Sequence, residues 1–127
     1  MYDHLKLKIW QRAHALSLRL DGALKGRARI GPPGLASQLS RACASIAANI
    51  AESSGQNSPS QSARFLDMSN GSSTETENHL ARASGTGLLR AELADEMSQE
   101  LREIRRMTIK FRMWVLKQPP PSEQPKD

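Results

Sequence analysis

Apolar residues recur at intervals of three and four along most of this chain, which is the spacing of one face of an α-helix. No segment alternates apolar and polar residues, with β-branched side chains, for long enough to indicate a strand. Two stretches rich in glycine and proline interrupt the pattern, one at residues 26–34 and one from Pro119 onward. A length of 127 residues suits one domain. The sequence therefore predicts a single all-α domain.

The interruptions divide the chain into four predicted helices and a tail. We predict helices over residues 5–24, 35–54, 59–84 and 88–116, which form a bundle domain over residues 1–117. Residues 118–127 are rich in proline and are predicted to be a disordered tail. Four helices joined by short loops favour antiparallel neighbours, so the expected arrangement is an antiparallel up-down-up-down four-helix bundle.

The predicted core lies on one stripe of each helix, and the stripes differ in how many large apolar residues they contain. Helix three has the poorest stripe, and Gly71 in its middle leaves open a break with a new cap at Ser72 or Thr74. Leu7 and Leu18 fall outside the stripe of helix one, so they form apolar surface that one bundle core does not use. The predicted stripes are Ile9, Ala13, Leu16, Leu20 and Leu24; Leu35, Leu39, Ala42, Ile46 and Ile50; Phe65, Met68, Ser72, Thr76, Leu80 and Ala83; and Leu93, Met97, Leu101, Ile104, Thr108, Phe111 and Val115.

Residue types that carry catalysis or metal binding form no recognisable constellation. The histidines are scattered. His79 shares a predicted helix face with Glu75, and this pair could bind a metal only if a neighbour supplied further ligands. A polar helix face explains the pair equally well. Cys43 lies beside the apolar stripe of helix two, which indicates a buried structural thiol and not a nucleophile. We therefore expect a non-enzymatic protein without cofactor or metal.

Cysteine content and hydropathy indicate the compartment. One cysteine cannot form an intramolecular disulfide, which fits a reducing cytosol. The first residues lack the apolar stretch of a signal peptide, and no apolar run approaches the roughly 20 residues of a membrane span. We expect a cytoplasmic protein that has no membrane partner.

Basic residues are concentrated on predicted helix four. The chain has 18 basic and 13 acidic residues, for a net charge of +5. Arg102, Arg106 and Lys110 follow one another at intervals of four, and Arg105 lies beside them. Such a row can follow a phosphate backbone and release its counterions. The alternative is that these cations solvate an exposed face, partly paired with Glu103.

Helix one contributes two weaker candidates, Lys8 and Arg12. An antiparallel bundle places the start of helix one beside the end of helix four, with Trp10 and Trp114 at the same end. Only 4% of the residues are aromatic, so we expect phosphate contacts to dominate any nucleic-acid binding.

Several segments resemble the signatures of a known family. Residues 7–14 (Leu-Lys-Ile-Trp-Gln-Arg-Ala-His) are similar to the opening motif of the bacterial four-helix-bundle proteins encoded by intervening sequences within 23S rRNA genes. Residues 34–42 and 45–52 resemble the second-helix signature of that family, and residues 60–66 and 71–77 resemble its third helix. The match covers residues 5–89 in the family's order.

The resemblance implies a third helix that continues through Gly71 and a homopentamer of four-helix bundles, with which Leu7 and Leu18 are compatible as interface residues. The family also resembles the accessory protein of diversity-generating retroelements, a basic pentameric barrel that binds nucleic acid and a reverse transcriptase. We therefore expect a homopentamer that binds structured RNA or DNA through basic helical faces. The alternative is a protein-binding adaptor, such as the reverse-transcriptase accessory subunit of such an element.

Overall fold

The computed structural model describes residues 2–119. A short 3-10 helix, His4–Lys6, precedes four α-helices: α1 at Lys8–Leu24, α2 at Leu35–Ser54, α3 at Pro59–Gly85 and α4 at Ala91–Leu116. No strand occurs within this range, so the prediction of an all-helical chain with four helices is confirmed. The predicted tail falls almost entirely on residues 120–127, which lie outside the described residues.

Side-chain caps determine where two of the helices begin. Asp3 Oδ1 accepts a hydrogen bond from the N–H of Leu5 at 3.0 Å and caps the short 3-10 helix. Leu7 is extended, so α1 begins at Lys8 and not at the predicted residue 5. Ser58 Oγ accepts from the N–H of Gln61 at 3.2 Å and caps α3. This cap agrees with the predicted start of helix three.

α3 continues through Gly71 without a break. Thr74, one of the two candidate caps, and the nearby Thr76 bond back into the preceding turn instead. Thr74 Oγ1 donates to the carbonyl of Asn70 at 3.2 Å, and Thr76 Oγ1 donates to that of Ser72 at 2.7 Å. The structure thus selects the continuous helix that the family resemblance implies.

The buried face of α3 differs from the predicted stripe. Met68 was predicted to be in the core but is 48% exposed. Serines take the central positions because α3 packs closely against α2: Ser62 Oγ donates to the carbonyl of Ser53 at 2.7 Å, and Ser69 Oγ to that of Ile46 at 2.9 Å. A prediction that relies on the spacing of apolar residues does not detect such a face. The buried residues of α3 are Ser62, Ala63, Leu66, Ser69, Ser73, Thr76, Leu80 and Ala83.

α4 begins three residues later than the sequence predicts, at Ala91 instead of residue 88. Gly87 has a left-handed φ of +81°, and the N–H of Leu89 donates to the carbonyl of Ala83 at 3.2 Å, so the chain turns tightly after α3. Leu88 and Leu89 are buried from within this loop. Because these two loop residues are apolar and buried, the apolar pattern in the sequence begins before α4 does.

The helices enclose a single apolar core. α1 and α3 each contact both α2 and α4, and no other pair among the four helices is in contact. All the predicted stripe residues of helices one and two are buried, whereas Leu18 is 58% exposed. Among the described residues, no helix is long and apolar enough to cross a membrane.

Candidate nucleic-acid interface

Arg102 and Arg105 share one carboxylate on the neighbouring helix. Arg102 Nη2 lies 2.7 Å from Glu77 Oε2, and Arg105 Nη2 lies 2.8 Å from Glu77 Oε1. The hydrogen bond from Arg105 is the main reason that the pKa of Glu77 is lowered, and Arg102 adds to the effect. The two arginines therefore tie α4 to α3, and part of their charge is neutralised there.

Arg106 pairs within its own helix. Its Nη2 donates to Glu103 Oε2, one turn earlier on α4, and this hydrogen bond is the first cause of the lowered pKa of Glu103. Arg12 and Lys110 also lower the pKa of Glu103 through their charges. The pairing with Glu103 that the sequence left open as the alternative is thus present.

Arg12 joins α1 to α4 through a two-pronged contact. Its Nε donates to Glu100 Oε2 at 2.9 Å and its Nη2 to Glu100 Oε1 at 2.5 Å. The hydrogen bonds with Glu100 raise the pKa of Arg12. Arg19 pairs with Glu96 at 2.5 Å farther along α1. These contacts line the cleft between α1 and α4 with charges that already compensate each other.

Lys8 and Lys110 are different from the four arginines. Both are exposed, and neither side chain makes an ion pair or a hydrogen bond within residues 2–119, although the charge of Lys110 acts on Glu103. The six predicted cations therefore do not form one uniform face. Four are held by carboxylates, and the two lysines keep their charge available to a ligand.

The aromatic residues form clusters that composition alone does not reveal. Phe111 contacts Tyr2 edge-on, with ring centroids 5.1 Å apart, and stacks on Trp114 at 5.5 Å with an interplanar angle of 21°. Trp10 stacks on His14 at 4.7 Å and also meets the ring of His4. Tyr2 belongs to the first cluster and His4 to the second, and only Asp3 separates these two residues in the sequence. The spacings of three and four along the helices could have revealed the Phe111–Trp114 and Trp10–His14 pairs.

An apolar stripe also lies on the outside of α4. Ile109, Met113 and Leu116 follow one another at helical spacing, and their exposed fractions are 49%, 54% and 45%. These side chains are not part of the core cluster of the chain. The stripe is available for contact with a protein surface.

Chemistry-bearing residues elsewhere are isolated. Glu75 Oε1 lies 3.4 Å from His79 Nε2, and no group of three or more potential metal ligands occurs in the described part of the chain. Cys43 is buried, and this burial raises the pKa of its thiol to about 12.

Comparison with known proteins identifies the family. The sequence profile described as 23S rRNA-intervening sequence protein matches residues 5–110. The chain belongs to this family. A member of the S23 ribosomal protein family from Bacteroides thetaiotaomicron, a protein of unknown function, has a similar crystal structure with a TM-score of 0.74. The two chains are 20% identical over 87% of this chain and 99% of the other, which establishes the fold alone. No curated protein matches the sequence.

The extent of the match separates two parts of the candidate interface. Five of the six predicted cations lie well inside the range shared with other 23S rRNA-intervening sequence proteins, and Lys110 is its last residue. Phe111, Trp114 and Lys117 follow the end of that range. The aromatic residues at the end of α4 therefore lie outside the range that matches the family.

Proposed function

We propose that this 23S rRNA-intervening sequence protein is a non-enzymatic, cytoplasmic homopentamer that binds structured RNA or DNA through basic helical faces. The observation that carries the proposal is that Lys8 and Lys110 are exposed and that neither side chain makes an ion pair in the described residues. Exposed cations that are not held in ion pairs, on a protein with a net charge of +5, attract phosphates. Arg102, Arg105, Arg106 and Arg12 add to this field from paired positions.

An up-down-up-down order of the helices is part of the proposal. Contacts between neighbouring helices support it. Ser40 near the start of α2 donates to Asp21 near the end of α1 at 2.6 Å. Arg12 near the start of α1 reaches Glu100 and Met107 in the middle of α4, whereas Arg19 farther along α1 reaches Glu96 nearer the start of α4. In that order, the start of α1 lies beside the end of α4, which brings Lys8 towards Lys110.

A homopentamer is the second structural element of the proposal. The family resemblance implies it, and the exposure of Leu18 supports an interface on the outside of α1. A pentamer of this 14.0 kDa chain has a mass of about 70 kDa. Native mass spectrometry of the freshly purified protein, with absorbance at 260 and 280 nm recorded during its chromatography, tests both assembly and binding.

The outcomes of that measurement are distinct. A pentamer with co-purifying, nuclease-sensitive nucleic acid supports the whole proposal. A pentamer free of nucleic acid, which also fails to bind added RNA and DNA at low salt, contradicts the binding function. A monomer at all concentrations contradicts the assembly.

Substitution of Lys110 tests the basic face directly. We expect K110Q to weaken binding to RNA and DNA of every sequence and to reduce the slope of log affinity against log salt by about 1, as for one lost phosphate contact. K25Q is the matched control, because Lys25 is also exposed and its substitution removes the same charge from the loop after α1. Equal effects of K110Q and K25Q would show that only net charge matters and would remove this face from the proposal.

A second candidate function is a protein-binding adaptor, such as a reverse-transcriptase accessory subunit of a diversity-generating retroelement. The exposed stripe Ile109, Met113 and Leu116 favours it, because an apolar helix face fits a protein partner better than a phosphate backbone. M113K places a charge on this stripe. Loss of binding to a co-encoded reverse transcriptase in M113K, with nucleic-acid binding retained, would support the adaptor.

A further inference from the structure

We propose that the aromatic end, defined as Tyr2, Phe111 and Trp114, binds unpaired nucleotides by stacking a base on Trp114. The inference rests on the proposed nucleic-acid function and names the ligand class, single-stranded RNA or DNA. It goes beyond the basic faces considered so far because it relies on rings as well as on charge.

Trp114 is held in a defined orientation while much of its side chain stays accessible. It is 49% exposed and lies on Phe111 with the two rings 5.5 Å apart. Phe111 is supported in turn by the edge of Tyr2, whose hydroxyl forms a hydrogen bond with Ser53 Oγ at 2.7 Å. Ser53 is fully buried. Little rotamer freedom is therefore left to lose when a further ring stacks on Trp114.

Two exposed lysines flank this ring. Lys110 precedes Trp114 by four residues and Lys117 follows it by three, so both are its neighbours on the surface of α4. Both lysines are exposed and make no ion pair within the described residues. A nucleotide whose base stacks on Trp114 can thus place its phosphates near a cation on either side.

The combination of a free ring and flanking cations favours single strands over duplexes. In a duplex, the faces of the bases are already stacked on their neighbours, so an exposed indole gains little from contact with it. Unpaired bases in loops, bulges and ends have free faces, and every base offers one whatever its sequence. We therefore expect binding that is tolerant of sequence but selective for unpaired strands.

Tryptophan fluorescence provides the test. Trp10 and Trp114 are the two tryptophans of the chain, so W10F leaves Trp114 as the single reporter. Titration of full-length W10F protein with oligo(dT) of about 12 nucleotides should quench its fluorescence, whereas a duplex of equal length should not. In binding assays that use labelled oligonucleotide, W114L should lose about tenfold affinity for the single strand and much less for the duplex.

Two further variants keep the test sharp. W114F retains a ring and should restore most of the single-strand affinity that W114L loses. M68A removes an exposed side chain of α3 that has no ring and should leave single-strand affinity unchanged. Far-UV circular dichroism of each variant confirms that the helices are intact.

The possible results separate this inference from the proposed function. Binding of oligonucleotide without quenching, and with W114L equal to the wild type, overturns the stacking site but leaves the basic-face function in place. Absence of binding to any single strand or duplex at low salt overturns both. Quenching of Trp114 by anionic phospholipid vesicles, with no response to oligonucleotide, would assign the aromatic end to a lipid surface and also contradict the inference.

Discussion

For single residues of this protein, a formal charge and a charge available to a ligand are different quantities. Arg105 is 24% exposed in its side chain and shares Glu77 with Arg102. A phosphate that approaches it must compete with an existing carboxylate partner. Lys110 and Lys8 make no ion pair in the described residues, and Lys110 acts on Glu103 only through its charge. The number of basic residues on a helix therefore overestimates the charge that the helix can offer.

Two glycines that have open space around them differ in backbone conformation, and this difference predicts opposite effects of alanine. Gly71 lies within α3, whereas Gly34 has a φ of +82°, and neither meets another atom that would obstruct a Cβ. We expect G71A to raise the free energy of unfolding by about 0.5–1 kcal/mol and G34A to lower it by about 1–2 kcal/mol. Urea denaturation at fixed protein concentration measures both. Stabilisation by G34A would contradict the assigned left-handed conformation.

At the scale of secondary-structure elements, α3 is bound to its two neighbours by different means. Towards α2, it presents small side chains, and buried serines such as Ser62 and Ser69 donate to carbonyls of that helix. Towards α4, it presents Glu77, which receives two arginines. Substitutions on the α2 side must therefore keep side chains small, whereas substitutions on the α4 side must keep the charge of Glu77.

Enlarging Ser69 tests the close α2–α3 contact. Ser69 is 1% exposed, so S69L must force extra volume between the helices and should reduce the free energy of unfolding by about 1–3 kcal/mol. S69A loses only the hydrogen bond to Ile46 and should cost about 1 kcal/mol. M68L, at the exposed neighbouring position, serves as the control in the same urea titrations. Equal stability of S69L and the wild type would show that the contact has room to spare.

Removing the charge of Glu77 should change how stability depends on pH. Because the folded state lowers the pKa of Glu77 below its usual value of 4.5, its stabilisation is complete above that value and is lost as the pH falls through the lowered pKa. We expect E77Q to cost about 1–2 kcal/mol at pH 7, and the difference from the wild type to shrink below pH 4.

Thermal or urea unfolding between pH 7 and pH 3 measures the effect of E77Q. E103Q is the control, because Glu103 pairs with the exposed Arg106 and should change stability little. A difference between E77Q and the wild type that stays constant with pH would contradict an ionic role for Glu77.

For the whole molecule, the exposed apolar residues have the clearest consequence. Leu18 contributes nothing to the core, and 58% of it is accessible. If the outside of α1 forms the interface of a pentamer, L18E should convert the assembly to smaller species while the helix content stays the same.

Native mass spectrometry and circular dichroism together measure the effect of L18E. L5E is a comparison at another exposed leucine, which is 54% accessible and lies in the 3-10 helix before α1. A native mass of L18E equal to that of the wild-type pentamer would place the interface elsewhere on the molecule.

The predictability of each element depended on how its core face is made. α2 has a face of leucine, isoleucine and alanine, and its predicted bounds and buried stripe agree with the structure. α3 buries serines and a threonine and exposes Met68, so apolar periodicity assigned the wrong residues to its core. Leu88 and Leu89 are buried from a loop, which led to a predicted start of α4 that was too early.

The candidate site was predictable to a smaller extent. The row of basic residues on α4 can be read directly from the sequence, as can the pairing of Arg106 with Glu103, because both depend on spacing along one helix. The pairing of Arg12 with Glu100 joins residues 88 positions apart, and that of Arg105 with Glu77 joins residues 28 apart. No local pattern contains these pairs.

The sequence by itself determined the helical content, the family and most of the apolar faces, because helix periodicity and caps act over a few neighbouring residues. Only the tertiary structure decided which cations remain unpaired and which rings stack at the end of α4. Ion pairs and ring contacts depend on distances of a few ångströms between helices, and these distances arise only when the helices pack. The pairing of Arg102 and Arg105 with Glu77 of α3, which leaves Lys110 without an ion pair in the described residues, is a result of that packing.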